Sequence, residues 1–514
     1  MNELEKILGI TFPDKTVITN ATNTTKKVKK NSIFFGLQGT KVHGSKYIEE
    51  AMNLGASISV HDDSKYKSNK ANVFYIDDLS KRIDMFTNKE SEQKTRIYYF
   101  LAYLYKMENI TKHSIRAFTG TNGKTSSAYL CHQLLLNKGT ESLYIGTIGV
   151  QLNNKELNNS IFKKTTPDIF EFFEILNAFK VRNNINICIE ISSHALDQGR
   201  LNDLSFHTSC LLNIGKDHLD YHKSIKDYTN TKLSIFNSSS QLKLINADLK
   251  PIATYKEIEH GVSLTSISNS NELANVCYKI IECGVDGALF EVKTGSQINF
   301  LQDSNRMKSY KFQCKLFPDF NIDNLIFAIE SSGYETFSEE GVNNLNFLTL
   351  PKGRTELIPN ISSNVIIDYA HNAQGFEFFL SSIKDYFSSI VIVFGCGGER
   401  DKQKRPEMLN IAIKNARDVI FTSDNSRSED FKEIFADSIR GNEEKKVIVI
   451  EDRKEAIIYG SNLISDNDCL VVLGKGHEQT QEINGKTFHF SCLLYTSDAA
   501  DEGLGVDLGG RRII

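Results

Sequence analysis

The sequence predicts an α/β protein of three domains. These are a small N-terminal unit over residues 1–89, a central P-loop nucleotide-binding domain over 90–336 and a Rossmann-like domain over 337–491. Three observations predict it. A chain of 514 residues is long for one core, and about 150 residues per domain gives three. A glycine loop, TGTNGKTSS at 119–127, lies between an apolar strand-like run and a helically spaced segment. Beyond residue 336, apolar strand-like runs start at 364, 390, 418, 446 and 469, with helical segments between them. That is βαβ spacing, and it implies a parallel sheet covered by helices.

In the N-terminal unit, NSIFFGLQG reads as a short strand ended by glycine, and YIEEAMNLGA as a helix with a glycine stop. ASISVHDD and NVFYIDD read as further strands, and YYFLAYLYKM as an apolar helix leading into the strand SIRAFTG. The basic cluster Lys26, Lys27, Lys29 and Lys30 is expected to be a solvated loop.

The central loop carries the clearest chemistry. Gly120, Thr121, Asn122 and Gly123 form a tight turn whose backbone N–H groups can face phosphate. Lys124 can reach terminal phosphates, and the hydroxyls of Thr125 and Ser126 stand at the helix start, where Thr125 can hold Mg²⁺. The spacing is GxxGKT, because Phe118 stands where a longer P-loop has its first glycine. The plain alternative is a chance GKT in a turn. Further on, INICIEISSHALDQGR delivers Glu190 to the end of an apolar strand, and NIGKDHLDYH places Asp217 and His218 after another. YTNTKLSIF puts Lys232 on a helix. Carboxylate oxygen suits Mg²⁺ and an imidazole can complete its shell. Taken singly, Glu190 reads equally well as a salt-bridge partner and His218 as a loop histidine.

In the third domain DYAHN, CGGERD, SDNSR and GKGHE each follow a strand, so they line one sheet edge, where open α/β sheets bind ligands. The net charge of −4 leaves no nucleic-acid footprint. No apolar run is long enough to span a bilayer and MNELEKILGI is not a signal peptide, so a cytoplasmic protein with no membrane span is expected. Nine scattered cysteines without a CxxC pair favour reduced, buried thiols. Residues 492–514, CLLYTSDAADEGLGVDLGGRRII, break this pattern. They resemble a translated sequencing adapter and are set apart from the fold as non-native.

These motifs, together with TTPD (165–168), INAD (245–248) and FNIDN (320–324), occur in the order seen in the Mur ligases, and the resemblance runs over residues 20 to 490. It implies an ATP-dependent ligase of cytoplasmic peptidoglycan precursor synthesis. The γ-carboxylate of UDP-N-acetylmuramoyl-L-Ala-D-Glu would be phosphorylated, and the acyl phosphate would meet the amine of a diamino acid. By the same resemblance, Gly120 to Ser126 hold ATP, with Lys124 catalytic, and Thr125, Glu190 and His218 serve magnesium. Lys232 matches a lysine that the family carbamylates, which would add a ligand for a second Mg²⁺. Asn324, Arg354 and Asp368 match grips on adenine, phosphate and ribose. Thr165, Thr166, Ser192, Gln198 and Arg200 match positions that hold the muramoyl-peptide. The uridine segment, DSRKV in relatives, stands here as Thr24, Thr25, Lys26, Lys27 and Val28, so Thr25 keeps the hydroxyl. Thr40 and Lys41 lie in the loop that approaches the nucleotide.

The diamino-acid motif, DNPR in relatives that use meso-diaminopimelate, is Asp424, Asn425, Ser426 and Arg427. A guanidinium fork at Arg427 suits the distal carboxylate that L-Lys lacks. Arg400, Gly474 and Glu478 match the remaining contacts. The resemblance therefore implies meso-diaminopimelate, with L-Lys, another Mur ligase or a folylpolyglutamate-type ligase as alternatives. A regulatory P-loop protein is the alternative from a different class. A monomer is expected.

Overall fold

The computed structural model describes residues 3–490 apart from 84–92, 108–112, 158–161, 163, 182, 216, 219–220, 239, 250–263, 272–273, 295–307, 334–335, 359–363 and 442–446. The adapter-like segment 492–514 lies outside the described residues. The chain divides into two units. The first takes residues 1–117, 139–209 and 234–241; the second takes 118–138, 210–233 and the chain from 242 on.

In the first unit the three expected strands, Ser32–Gly36, Ala56–His61 and Val73–Tyr75, form a parallel sheet in sequential order, joined at one edge by a strand that was not expected, Asn20–Thr22. Ile48 and Ala51 of the helix Ile48–Asn53 pack on Phe34 and Ala56 of the sheet. A second group pairs Ser142–Gly146 in parallel with Asn186–Glu190. The helix Ile169–Ala178 starts on a capping box. Asp168 accepts from the Glu171 amide while the Glu171 side chain accepts from the Asp168 amide, which satisfies two orphan donors of the first turn. Lys27 departs from the solvated-loop expectation, because its ammonium pairs with Glu174 at 2.7 Å.

The strand Ser114–Thr119 runs into the glycine loop and the helix Lys124–Asn137, which belong to the second unit. An antiparallel meander of Val276–Gly284, Gly287–Thr294 and Lys308–Cys314 adds a face where Phe290 and Phe312 stack at 5.3 Å. The C-terminal sheet is the parallel one expected. Its order is Glu356–Leu357, Asn364–Asp368, Asp468–Leu473, Ser389–Phe394, Asp418–Phe421 and Val447–Val449, and only the first strand is antiparallel. The period-2 rule divides its side chains between two cores. Ile390, Ile392 and Phe394 pack on one face with Phe376, Leu380, Leu409 and Ile434 from three helices. Val391 and Val393 pack on the other with Ala456 and Ile457. Because Asp468–Leu473 inserts between the strands Asn364–Asp368 and Ser389–Phe394, the order switches there, and the loops after these strands meet at one edge.

None of the eight cysteines described forms a disulfide with another described residue, and six of them are buried. Among the described residues no helix is long and apolar enough to cross a membrane.

Candidate active site

The glycine loop is built by its neighbours in the second unit. The Thr121 amide donates to the Asn213 carbonyl at 3.2 Å, and the Asn122 amide to the Asn213 side chain at 2.9 Å. Asn213 Nδ2 returns a bond to the Asn122 carbonyl at 3.0 Å. Thr121 Oγ1 accepts from the Gly215 amide at 2.8 Å and meets the Tyr228 hydroxyl at 3.0 Å. Gly123 caps the helix with φ +84°, a left-handed value that favours glycine. No side chain caps the first turn, so its amides and the helix dipole present a ready anion site, and the 14-residue helix is long enough to supply it. Lys124 folds over the loop and donates to the carbonyls of Gly120 and Thr121 at 2.7 and 2.8 Å.

Lys232 comes to the same place. It lies on the helix Ile225–Leu233, is 1 % exposed, and donates to the Gly120 carbonyl at 2.9 Å with its ammonium 4.7 Å from the Tyr228 ring. Burial pushes this amine well below its ordinary range, the nearby Lys124 charge adds to that, and Asp217 opposes it. Burial raises the Asp217 carboxyl, but the pull of His218, His371 and Lys124 outweighs it and holds the group below its usual range. His218 adopts φ +52°, is exposed, and its Nε2 sits 3.8 Å from the Asp217 carboxylate.

Two of the three expected nucleotide grips, Asn324 and Arg354, reach this loop and the helix start after it. Asn324, on the helix Phe320–Ser332, packs so closely on Gly123 that a Cβ there would lie 2.2 Å from its Oδ1. The Arg354 guanidinium stacks on Tyr369 at 4.1 Å and reaches Thr125 Oγ1 at 3.5 Å, while its buried Nε has no partner among the described residues. Asp368 is occupied by the chain itself. It accepts from the Thr355 amide at 2.7 Å and the Ala370 amide at 2.8 Å, which fix the turn after its strand. Among the described residues no three His, Cys, Asp or Glu side chains gather as a metal cage. Thr125, at the start of the helix after the loop, offers a hydroxyl oxygen, a donor of the kind Mg²⁺ takes.

At the C-terminal sheet edge the diamino-acid candidates come together. A Cβ on Gly397 would lie 3.4 Å from Arg427 Nη1 and 3.6 Å from Arg400 Cγ, so both arginines flank that glycine. Arg427 adopts φ +55° and its guanidinium donates to the Gly398 carbonyl. Gly474, at φ +93°, leaves room for Asp424, whose Oδ2 would stand 3.2 Å from any Cβ there. Asn425 accepts from Lys475 at 3.0 Å, and Ser426 is buried at the turn. Glu478 closes the GKGHE loop by accepting from the Gly476 amide at 2.7 Å.

In the first unit, the peptide-binding candidates form one hydrogen-bonded cluster around Glu190. That carboxylate is fully buried and accepts from Tyr144, from the Thr147 amide at 2.8 Å and from Thr147 Oγ1 at 3.0 Å. Thr147 meets Thr165 at 3.2 Å, and Thr166 donates to the Glu190 carbonyl at 2.9 Å and accepts from the Ser192 amide at 3.0 Å. Arg200 donates to the Thr166 carbonyl and to Gln198, both at 2.9 Å. Thr25 lies part-buried in a short 3-10 turn, and Thr40 and Lys41 are exposed at a loop tip.

Asn213, Tyr228, Tyr369 and Lys475 were not expected among the site residues. Asn213 follows a strand, and Tyr228 stands four residues before Lys232 on the same helix face; both signals were available in the sequence.

Three family models match the chain. They are the Mur ligase family catalytic domain over residues 17–91, the Mur ligase middle domain over 118–331 and the Mur ligase glutamate ligase domain over 353–476. The UDP-N-acetylmuramoyl-L-alanyl-D-glutamate–2,6-diaminopimelate ligase of Aquifex aeolicus is 33% identical over 498 residues, covering 95% of this chain and 92% of that relative. A solved structure of a ligase of that same name aligns with a TM-score of 0.63 at 26% identity, over 98% of this chain and 99% of the other. The MurF ligase of Thermotoga maritima, solved with ADP, aligns with a TM-score of 0.60 at 14% identity over 98% and 99%, and shares the fold. With matched segments along most of its length and a relative at this identity, the chain belongs to the Mur ligase family of ATP-dependent, amide-bond-forming enzymes.

Proposed function

We propose that this enzyme joins meso-diaminopimelate to the D-Glu γ-carboxylate of UDP-N-acetylmuramoyl-L-Ala-D-Glu, consuming ATP, in cytoplasmic peptidoglycan precursor synthesis. The observation that carries the reading is the pair of arginines at the sheet edge, where Arg427 brings its guanidinium to Gly397 and the side chain of Arg400 runs past the same glycine. A fork there recognises a second carboxylate, which meso-diaminopimelate has and L-Lys lacks. Discrimination by a group that demands a charged partner is strong. The named activity of the 33%-identical relative agrees with it.

The γ-carboxylate oxygen attacks the terminal phosphorus of ATP and ADP leaves. The amine of the diamino acid then attacks the acyl carbon, and phosphate leaves from the tetrahedral intermediate as the amide forms. Lys124 and the first-turn amides neutralise phosphate charge, and Arg354 adds a guanidinium beside Thr125. Asn324 and Asp368 are assigned to adenine and ribose. Thr165, Thr166, Ser192, Gln198 and Arg200 are assigned to the muramoyl-peptide, and Thr25, Thr40 and Lys41 to its uridine diphosphate. Asn425, Ser426, Gly474 and Glu478 complete the diamino-acid contacts. Thr125, Glu190 and His218 would hold magnesium, which screens phosphate charge when bound. Burial lowers the pKa of the Lys232 amine and so favours its neutral form, the form that carbamylation requires.

Phosphate release from ATP, measured with the nucleotide dipeptide and either diamino acid, tests the reading. Release that depends on meso-diaminopimelate is expected. Release with L-Lys alone would discard the specificity, and release indifferent to any amino acid would discard the ligase.

A further inference from the structure

The loop 423–427 is held chiefly by a segment that the reading above leaves without a role. Residues Thr480–Ile483 and Lys486–His489 form an antiparallel hairpin closed by Asn484 and Gly485, both at positive φ, as a tight two-residue turn requires. Its first strand lies along the loop. Gln481 Nε2 donates to Ser423 Oγ at 2.8 Å and to the Asp424 carbonyl at 2.9 Å. The Glu482 amide donates to Asn425 Oδ1 at 2.9 Å. The Arg427 amide donates to the Glu482 carbonyl at 3.1 Å, and the Arg427 carbonyl accepts from Gly485 at 3.3 Å. Beneath the loop two fully buried cations complete the support: Arg453 donates to the Ser423 carbonyl at 3.2 Å, and Lys475 joins Asn425 to the Thr480 carbonyl.

Arg427 sits at a backbone angle that non-glycine residues seldom adopt, so what holds its two peptide groups sets the direction in which the side chain leaves the loop toward the Gly398 carbonyl. The hairpin pins both. We infer that the hairpin is the specificity-setting support of the diamino-acid site, with Gln481 as its positioning residue, holding Asp424 and aiming Arg427 without touching substrate. This rests on the ligase reading above.

Gln481→Met in the full chain removes both side-chain bonds while keeping the volume of a side chain that is 7 % exposed. The KM for meso-diaminopimelate is expected to rise about tenfold or more, with KM for ATP and for the nucleotide dipeptide within about twofold. The preference for meso-diaminopimelate over L-Lys, as a ratio of kcat/KM, is expected to fall, and backbone amides of 423–427 are expected to exchange hydrogen faster. Gln481→Glu, which keeps the shape but sets an acceptor against the Asp424 carbonyl, is expected to move the same constants and serves if Gln481→Met does not fold. Faster exchange with all three KM values unchanged, or all three raised together, would overturn the positioning role and leave the ligase standing. An unmodified chain whose ATP turnover ignores every diamino acid would overturn both.

Discussion

Replacing Gly123 by alanine separates two costs at the phosphate loop. The first is backbone: at φ +84° an L-residue is less favourable than glycine by about 1–2 kcal/mol. The second is steric. The new Cβ would stand 2.2 Å from Asn324 Oδ1, so Asn324 must swing away. Its side chain spans Ser127 at 3.4 Å and Asn321 at 3.3 Å, and losing both contacts costs about 1–2 kcal/mol more. Gly123→Ala is therefore expected to destabilise by about 2–4 kcal/mol in urea unfolding and to weaken ADP binding about tenfold or more. A double-mutant cycle with Asn324→Ala tests the division. Once Asn324 is shortened the steric cost disappears and only the backbone cost remains. The double variant should then be at least about 1 kcal/mol more stable than the sum of the single effects predicts. Strict additivity would refute the reasoning, because it would mean that Asn324 does not oppose a side chain at that position.

Three further outcomes follow from buried charge. Burial lifts the Asp323 carboxyl from its ordinary 3.8 to about 6, with Asp319 and Asp248 adding to the shift and the Tyr278 hydroxyl opposing it. A carboxyl raised in the folded state favours folding at acid pH and loses that contribution as pH climbs through about 6, so Asp323→Asn should gain on the order of 2–3 kcal/mol relative to the unmodified chain between pH 4 and 7. A constant difference across that range would contradict this. Arg405, fully buried, bonds Glu429 at 2.8 and 2.7 Å and Asp437 at 2.9 Å. Arg405→Met should cost about 3–5 kcal/mol in chemical denaturation, and Arg405→Met with Glu429→Gln should recover part of it. The Arg405 bond holds the Glu429 carboxyl below its usual range, so this contribution is present above the ordinary carboxylate pKa and is lost as pH falls. Lys232→Met should abolish amide formation while raising stability near neutral pH. An amine whose pKa is depressed on folding opposes folding at every pH below its unfolded value, and thermal melts of both proteins check the sign.

The legible parts of this molecule are those where local pattern and tertiary role agree. The buried parallel strands show as continuous apolar runs such as Ile390–Phe394, and their terminal polar residues mark the ligand edge without any contact being known. Lys232 shows the opposite case. Its helix, IKDYTNTKL, is polar enough to read as solvated, yet the lysine is 1 % exposed because the helix faces the glycine loop through Tyr228 and Lys232 together. Only the four-residue spacing of an aromatic and a lysine hinted at that face. The meander Val276–Cys314 was not expected, although VCYKI and ALFEV alternate and Asp286–Gly287 marks a turn. The contacts around Glu190 were out of reach for another reason. They join residues up to 46 positions apart, and nothing in the sequence fixes which hydroxyl meets which carboxylate oxygen.

The loop that bears Arg427 shows how a local weakness read from sequence is offset by tertiary structure. Serine at position 426 lacks the ring that would fix φ, so the motif alone predicts a looser arginine than its DNPR counterpart. In the fold, Ser426 is buried and its carbonyl lies against Gly398, so close that a Cβ there would stand 2.0 Å away, while Arg427 is tied on both sides to the Glu482–Gly485 turn. The conformational entropy a proline would remove in the unfolded chain is instead overcome in the folded chain by hydrogen bonds. The two routes respond differently to perturbation. A ring constrains its residue whatever surrounds it, whereas bonds to a hairpin fail when the hairpin moves. Selectivity among diamino acids in this enzyme should therefore depend on residues 480–489 more strongly than in relatives that carry the proline. Grafting proline at position 426 should make it less dependent, restoring part of the preference lost in Gln481→Met. A graft that restores nothing would show that Arg427 is aimed by contacts other than these.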